Sequence, residues 1–79
     1  MLSCTISSLK KTVQYYHVNS VVLPAVRGQM QVLPGHAETF VLLKKGTIVI
    51  EKEDAGGKEQ LEIKEGQCYI KDNHLLIIL

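Results

Sequence analysis

The chain has 79 residues, of which 46% are hydrophobic and only four are aromatic, and its formal net charge is +1. That length allows a single domain over residues 1–79, with one core built mainly from Val, Ile and Leu. A near-neutral charge does not supply the positive field that binding to phosphate backbones requires, so we expect no nucleic-acid partner. Every apolar run is far shorter than the roughly 20 residues that span a bilayer, so we expect no direct membrane insertion.

Short runs of alternating or apolar residues predict strands throughout the first half of the chain. Proline and glycine separate these runs, and both are unfavourable inside a strand ladder, so they indicate turns at Pro24 and at Pro34-Gly35. The pattern favours five strands: Leu2 to Ser7, Thr12 to Tyr16, a third around Val21 and Leu23 that ends at Pro24, Met30 to Leu33, and Thr39 to Leu43.

A β-hairpin with one solvated face is predicted from Gly46 onward. Ile48 and Ile50 alternate with more polar residues on its first strand, so they are expected to point inward. The return strand, Gln60 to Lys64, is expected to point Leu61 and Ile63 inward. The connection is predicted to be a turn at Asp54-Ala55-Gly56-Gly57, where glycine can adopt a positive φ.

The last part of the chain predicts two more strands joined by a tight turn at Asp72-Asn73. Cys68 and Ile70 are expected to point inward on the first of them. The second, His74 to Leu79, is apolar on both faces, which is typical of a strand that is covered on both sides. No segment shows a helical repeat of useful length. The prediction is an all-β fold, a small flattened antiparallel β-sandwich or barrel of about eight to ten short strands.

The residues that most often carry chemistry are scattered along this chain. Cys4 and Cys68 are far apart and outside any C-x-x-C pair; one disulfide is possible, but we interpret both as buried apolar residues. His17 and His74 are predicted at strand starts and solvated. Zinc-ligand spacing, a partnered nucleophile and a phosphate-binding glycine loop are all missing from the sequence. We therefore expect no metal, no cofactor and no enzymatic activity.

One ordered set of motifs resembles a known family. The stretch Val21 to Ala37 contains Pro34-Gly35-His36-Ala37, and the turn Leu43-Lys44-Lys45-Gly46, the Gly56-Gly57 hairpin and the apolar last strand follow in order. This set resembles the N-terminal β-sandwich domain of the epsilon subunit of F-type ATP synthases, over essentially the whole chain. The family commonly has glycine where this chain has Gln31, so Gln31 is expected to take an ordinary β conformation. The family's C-terminal helical pair is not matched, and its inhibitory role is not carried over.

The resemblance implies a non-catalytic subunit of the central stalk, which couples c-ring rotation to the gamma subunit in proton-driven ATP synthesis. Its place would be peripheral, at the cytoplasmic face of the inner (plasma) membrane. The expected partners are the gamma subunit and the c-ring. The matched positions place Arg27, Gly28, Gln29 and His36 on the c-ring side, and we expect Val22, Leu76 and Ile78 on the gamma side. A solvated turn at Arg27 and a turn histidine at His36 are the alternatives.

A second interpretation is a free-standing small β-sandwich that binds a protein or a ligand. Such a module needs a pocket with exposed aromatic side chains or an open edge strand. The small number of aromatic residues counts against a sugar-binding version.

Overall fold

Eight β-strands make up the fold in the computed structural model, which describes residues 1–53 and 57–79. No helix occurs in these residues, which agrees with the all-β prediction. The strands are β1 Leu2–Ser7, β2 Thr12–Ala25, β3 Gly28–Val32, β4 Thr39–Leu43, β5 Gly46–Lys52, β6 Lys58–Ile63, β7 Gly66–Lys71 and β8 His74–Ile78.

The strands form two layers that β2 joins. The hydrogen-bonded order is β1-β8-β7-β4-β2-β5-β6, with β3 paired to β2 and an additional pairing of β1 with β2. The first layer contains β4, β7, β8, β1 and the first half of β2; the second contains β3, the second half of β2, β5 and β6. All pairs are antiparallel except β1 with β8. With extents of 28 × 27 × 19 Å, the result is a flattened sandwich.

The core lies between the two layers and consists almost entirely of aliphatic side chains and the two cysteines. Alternation decides its membership, since every second residue of a strand points to the same face. Ile48 and Ile50 on β5 and Leu75 and Ile77 on β8 are all buried, and their neighbours along each strand point outward.

The prediction of two separate strands between Thr12 and Pro24 was wrong, because β2 is one continuous strand. Its pairing register slips twice: one extra β2 residue lies between the pairs Cys4↔Tyr15 and Leu2↔Val18, and another lies between the β5-paired residues Val18 and Ser20. His17 has a φ of 56° at this point. Such bulges bend a strand and increase its twist, which lets β2 pass from the first layer into the second. The predicted placement of His17 at a strand start was therefore also wrong, although its side chain is exposed.

The β5–β6 hairpin forms as predicted, with one exception on β6. Ile63 is buried, but Leu61 remains 38% exposed although it pairs with the buried Ile48. The physical reason is position, since β6 is the last strand of its layer and pairs only with β5. Of the predicted turn at Asp54-Ala55-Gly56-Gly57, residues 54–56 lie outside the described residues; Gly57 has the positive φ expected of it.

The strand directions define two ends of the sandwich. The turns β2–β3, β4–β5 and β6–β7 lie at one end, which we call the basic end because it gathers Arg27, Lys44, Lys45 and Lys64. The β7–β8 turn and the β3–β4 loop lie at the opposite end, where the Asn73 side chain accepts a hydrogen bond from the Gly35 amide at 2.7 Å.

Candidate partner-binding surfaces

An apolar surface covers the outer side of β4, β7 and β8. In register, Phe40 lies beside Tyr69 and Tyr69 beside Leu76, while Leu42 and Ile78 flank Gln67 in the next row. Phe40, Leu42 and Ile78 are each about half exposed. We call these five residues (Phe40, Leu42, Tyr69, Leu76 and Ile78) the apolar face. Contiguous exposed apolar side chains of this kind often mark a partner-binding site.

Only Leu76 and Ile78 of this surface were predicted from the sequence. Phe40 and Leu42 carried the same signal, because Thr39–Leu43 is apolar on both of its faces just as β8 is. Tyr69 has a polar tip at the edge of the surface, where its hydroxyl donates a hydrogen bond to the Glu38 carboxylate. This hydrogen bond raises the pKa of the Tyr69 phenol above its usual value.

Val22, the third residue predicted on the gamma side, lies elsewhere. It points outward from β2 in the second layer, where it pairs with Gln31 of β3 and Val49 of β5. Leu76 and Ile78 point outward from the first layer. The structure therefore does not bring these three predicted residues onto one surface.

Positive charge is concentrated at the basic end of the sandwich. Its three turns contain four of the nine Lys and Arg residues of the chain, and Glu65 is their only acidic side chain. The four are Arg27, Lys44, Lys45 and Lys64. They are far apart in the sequence, and only the strand order shows that these turns share an end.

Arg27, Gly28 and Gln29 lie at this basic end, in and just after the β2–β3 turn. Gly28 has a φ of 132°, a conformation that favours glycine because it lacks a Cβ atom. Backbone hydrogen bonds from Val26 to Leu42 and from Lys44 to Pro24, both 2.9 Å, hold this turn against the end of β4. Gln31 sits in β3 without a positive φ, as expected for this departure from the family pattern.

His36, the fourth residue predicted on the c-ring side, lies at the opposite end. Its Nδ1 is 2.8 Å from the Ala37 carbonyl oxygen, and its amide donates to Leu33 at 3.2 Å, so it helps to shape the β3–β4 loop. β3 has five residues, which separates Arg27 from His36 by roughly 16 Å along the strand. A partner that contacts both must therefore lie along β3 rather than across one end.

The remaining candidates for chemistry are not arranged as a reactive site. His74 begins β8 as predicted, and its ring nitrogens lie 2.6 Å from Ser3 Oγ and 3.3 Å from Thr5 Oγ1 on the exposed side of β1. Within the described ranges, no three His, Cys, Asp or Glu side chains are grouped closely enough to hold a metal ion. The same part of the chain contains no helix that could cross a membrane.

Both cysteines are buried and unpaired, as interpreted from the sequence. Cys4 pairs with Leu75 and Cys68 pairs with Ile77, so β8 lies between them. Two strand spacings amount to roughly 10 Å, which is beyond the reach of a disulfide.

The amino-acid sequence matches a known protein family over its whole length. The sequence model of the family described as "ATP synthase, Delta/Epsilon chain, beta-sandwich domain" matches residues 1–79. The ATP synthase epsilon chain of Helicobacter acinonychis (strain Sheeba) is 41% identical over 61 residues, which cover 77% of this chain and 48% of that protein. The ATP synthase epsilon chain of a Nitratiruptor species is 43% identical over 56 residues, covering 71% and 43%. The chain thus spans less than half the length of these curated relatives.

Two solved assemblies contain chains of similar structure. A chain in the Euglena gracilis mitochondrial ATP synthase (OSCP/F1/c-ring, rotational state 1) superposes with a TM-score of 0.84 at 26% identity, covering 95% of this chain and 48% of that one. A chain in the Tetrahymena thermophila mitochondrial ATP synthase central stalk/c-ring structure gives a TM-score of 0.78 at 13% identity, covering 98% and 61%. The second likeness shows the fold alone.

Proposed function

This chain belongs to the beta-sandwich domain family of ATP synthase delta and epsilon chains, and from that membership we propose that it acts as a non-catalytic part of the central stalk. In this role it couples rotation of the c-ring to the gamma subunit during proton-driven ATP synthesis. Its place is then peripheral, at the cytoplasmic face of the inner (plasma) membrane. The Euglena gracilis ATP synthase assembly, which includes the c-ring and contains a similar chain at 26% identity, supports this proposal.

The observation that carries the gamma contact is the apolar face. Leu76 and Ile78 lie there together with three further exposed apolar or aromatic side chains, on strands fixed by the core beneath them. Burial of such side chains against a partner favours association, because it removes apolar surface from water. We propose that gamma packs on this face. Contact with Val22 would require a gamma segment that also reaches the second layer.

The proposed c-ring contact lies along β3. One partner can contact both ends of β3 only along this side of the sandwich. Arg27, Gly28 and Gln29 lie at the basic end, and His36 lies in the β3–β4 loop at the opposite end. The Arg27 guanidinium presents donors that suit carbonyl and carboxylate oxygens of polar loops. The surrounding lysines strengthen the attraction to acidic groups, and they make it sensitive to salt.

The mechanism is mechanical and requires no chemical step. A torque passes through a subunit only if its two contact surfaces keep their relative position. Here β4, β7 and β8 carry one surface and β3 carries the other, and both pack on the same aliphatic core. Close-packed interiors have low compressibility and transmit strain.

Co-purification of the tagged chain from its native cell tests this function. We expect gamma, alpha, beta and c subunits to be recovered together at moderate salt. Recovery of the chain alone, with synthase subunits present elsewhere in the lysate, would contradict the stalk role and would favour the free-standing binding module.

Charge substitutions on the apolar face test the gamma contact directly. Ile78→Lys and Leu76→Lys are expected to reduce gamma recovery about tenfold or more, because a buried unpaired ammonium is strongly unfavourable in an interface. Gln60→Lys on the exposed side of β6 is the matched control and should leave recovery unchanged. Urea unfolding of each variant separates lost binding from lost folding. Unchanged recovery with both apolar-face variants would exclude gamma from this surface.

A further inference from the structure

A cleft of about 450 Å³ opens between β3 and β4 beside the apolar face. Its lining is apolar apart from one cation: Ala25, Val26, Met30, Phe40, Val41 and Leu42, with Arg27 at the basic end. Its two walls belong to different layers, because β3 pairs with β2 in the second layer and β4 pairs with β7 in the first.

The β4 wall presents an unpaired strand edge to this cleft. The Leu42 carbonyl accepts the hydrogen bond from Val26, so the backbone groups of Leu42 point away from β7. Backbone groups two residues apart on a strand point to the same side, and those of Phe40 therefore face the cleft as well. β4 meets β2 only at Leu43, so within the described residues no strand pairs with Phe40 on that side.

β3 also has a free edge, on its side away from β2. Pro24 has no amide hydrogen and its carbonyl accepts from Lys44, so its backbone groups point away from its β3 partner Gln29. The hydrogen-bonded pairs are then formed by Gly28, Met30 and Val32, and the backbone groups of Gln29 and Gln31 point outward. The cleft is thus flanked by the free edge of β4 and by Met30 of β3, whereas Gln29 and Gln31 are not among its lining residues.

These two edges differ from the third free edge of the fold. β6 carries Lys58, Glu59 and Glu62, and two of these form ion pairs with β5 at 3.4 and 3.8 Å. Charges of this kind protect an edge against pairing with another chain. β4 reads Thr-Phe-Val-Leu-Leu and β3 reads Gly-Gln-Met-Gln-Val, with no charge and no proline in either.

We propose that the cleft binds an extended segment of a partner protein, which adds to β4 as a further strand. Backbone hydrogen bonds to Phe40 supply pairing that does not depend on side chains, as in other cases of strand addition. The segment has apolar residues at alternate positions, which face Met30 and Val41, and an acidic residue at the Arg27 end. The cleft adjoins the apolar face, since Phe40 and Leu42 line both. Such backbone recognition does not depend on the stalk role.

A suitable probe is a seven-residue peptide with blocked termini. It has valine at positions two, four and six, threonine at positions three and five, and glutamate and lysine at its two ends. A second peptide with the two charges exchanged reports the direction of binding. We expect one of the two to bind the 79-residue chain and to slow hydrogen exchange at the Phe40 amide. Arg27→Glu should reverse the preference between them, while Lys64→Glu, at the same end but outside the cleft lining, should not.

Backbone methylation of the peptide separates strand addition from apolar adsorption. The amide hydrogens of alternate peptide residues face β4. Methylation of these amides removes the hydrogens that bond to β4, and methylation of the remaining amides leaves those hydrogens in place. We expect the first peptide to bind about tenfold more weakly or worse and the second to bind nearly as well as the parent. Equal binding of both methylated peptides, or no binding of any peptide, would overturn the proposal. If the chain dimerises through β4 and the peptide does not dissociate the dimer, the β4 edge binds a second copy of this chain instead.

Discussion

At the scale of single residues, burial determines the properties of the two cysteines. Burial raises the pKa of Cys4 and Cys68 to about 12 from an ordinary 9.0, and for Cys4 the nearby Cys68 adds to the rise. The protonated thiol is the form that a desolvated site favours. Neither side chain is therefore a nucleophile near neutral pH, and both act as small apolar parts of the core.

These shifts predict a loss of stability in alkaline solution. Between pH 9 and 12 the unfolded thiols release their protons while the folded ones retain them, so the unfolded state binds fewer protons and unfolding becomes more favourable as the pH rises. The expected loss is about 1.4 kcal/mol per pH unit for each thiol. Urea unfolding at several pH values measures it. Cys68→Ala should lower the slope by about 1.4 kcal/mol per pH unit, because all other titrating groups are shared by the two proteins. An unchanged slope would contradict this account.

Burial of single residues could be predicted from the sequence where alternation alone decides it. Alternation identified Ile48, Ile50, Cys68 and Ile70 as inward-pointing, and all four are buried. It failed at Leu61, which points inward on a strand that ends its layer. Alternation reports the direction of a side chain, whereas burial also requires a neighbour beyond it.

At the scale of elements, turn chemistry explains why β7 and β8 pair as they do. Asp72 and Asn73 have φ values of 51° and 62°, the left-handed conformation that two-residue hairpin turns require and that Asn and Asp tolerate better than most residues. Asn73 has a second role, because its Oδ1 holds the Gly35 amide of the β3–β4 loop. One residue therefore closes a hairpin and anchors the loop that contains His36.

Substitution of Asn73 separates these two roles. Asn73→Gly keeps the turn conformation and removes the bond to Gly35, so we expect a loss of about 1 kcal/mol and faster hydrogen exchange at the Gly35 amide. Asn73→Ala should lose roughly 1 kcal/mol more, because alanine is strained at this φ. Asp72→Gly is the control and should leave Gly35 unaffected. If Asn73→Gly does not change exchange at Gly35, the side chain does not hold the loop.

Strand β2, which the alternation pattern predicts as two strands, shows where sequence patterns fail at the scale of elements. Tyr16 and His17 are both exposed, and Ser20 and Val21 are both buried, so alternation fails at the two bulges of β2. A break in alternation reads as a turn between strands. Only the pairing with β1 and β5 on either side shows that the backbone continues.

At the scale of the whole molecule, the strands differ in how firmly they are held. β8 lies between β1 and β7 and buries Leu75 and Ile77, whereas β6 pairs only with β5 and buries Ile63 alone. Local opening is easiest where few apolar side chains are buried.

Hydrogen exchange should therefore distinguish these two strands. We expect the β6 amides bonded to β5 to exchange at least about tenfold faster than those of β8 under native conditions. The β7 amides bonded to β8 serve as an internal control and should exchange as slowly as β8. Equal protection of β6 and β8 would mean that the molecule opens only as a whole.

Fold class, strand number and most strand positions could be predicted at this scale, because period-two alternation and turn residues are local signals. The site could be predicted only in part. The alternation pattern of β8 alone predicts that Leu76 and Ile78 point outward. That they share a surface with Phe40 depends on β7 lying between β4 and β8. The gathering of Arg27, Lys44 and Lys64 at one end likewise depends on strand order, which the sequence pattern does not contain.

The parallel pairing of β1 with β8 has a consequence for how the domain resists force. The first and last strands of the chain lie side by side and run in the same direction. Tension applied between residues 1 and 79 would slide these two strands past each other along their length. All of their hydrogen bonds are then stretched together, rather than one after another as in a zipper. The domain is thus braced against pulling through its ends, and a hairpin such as β5–β6, if pulled at its open ends, would peel apart bond by bond.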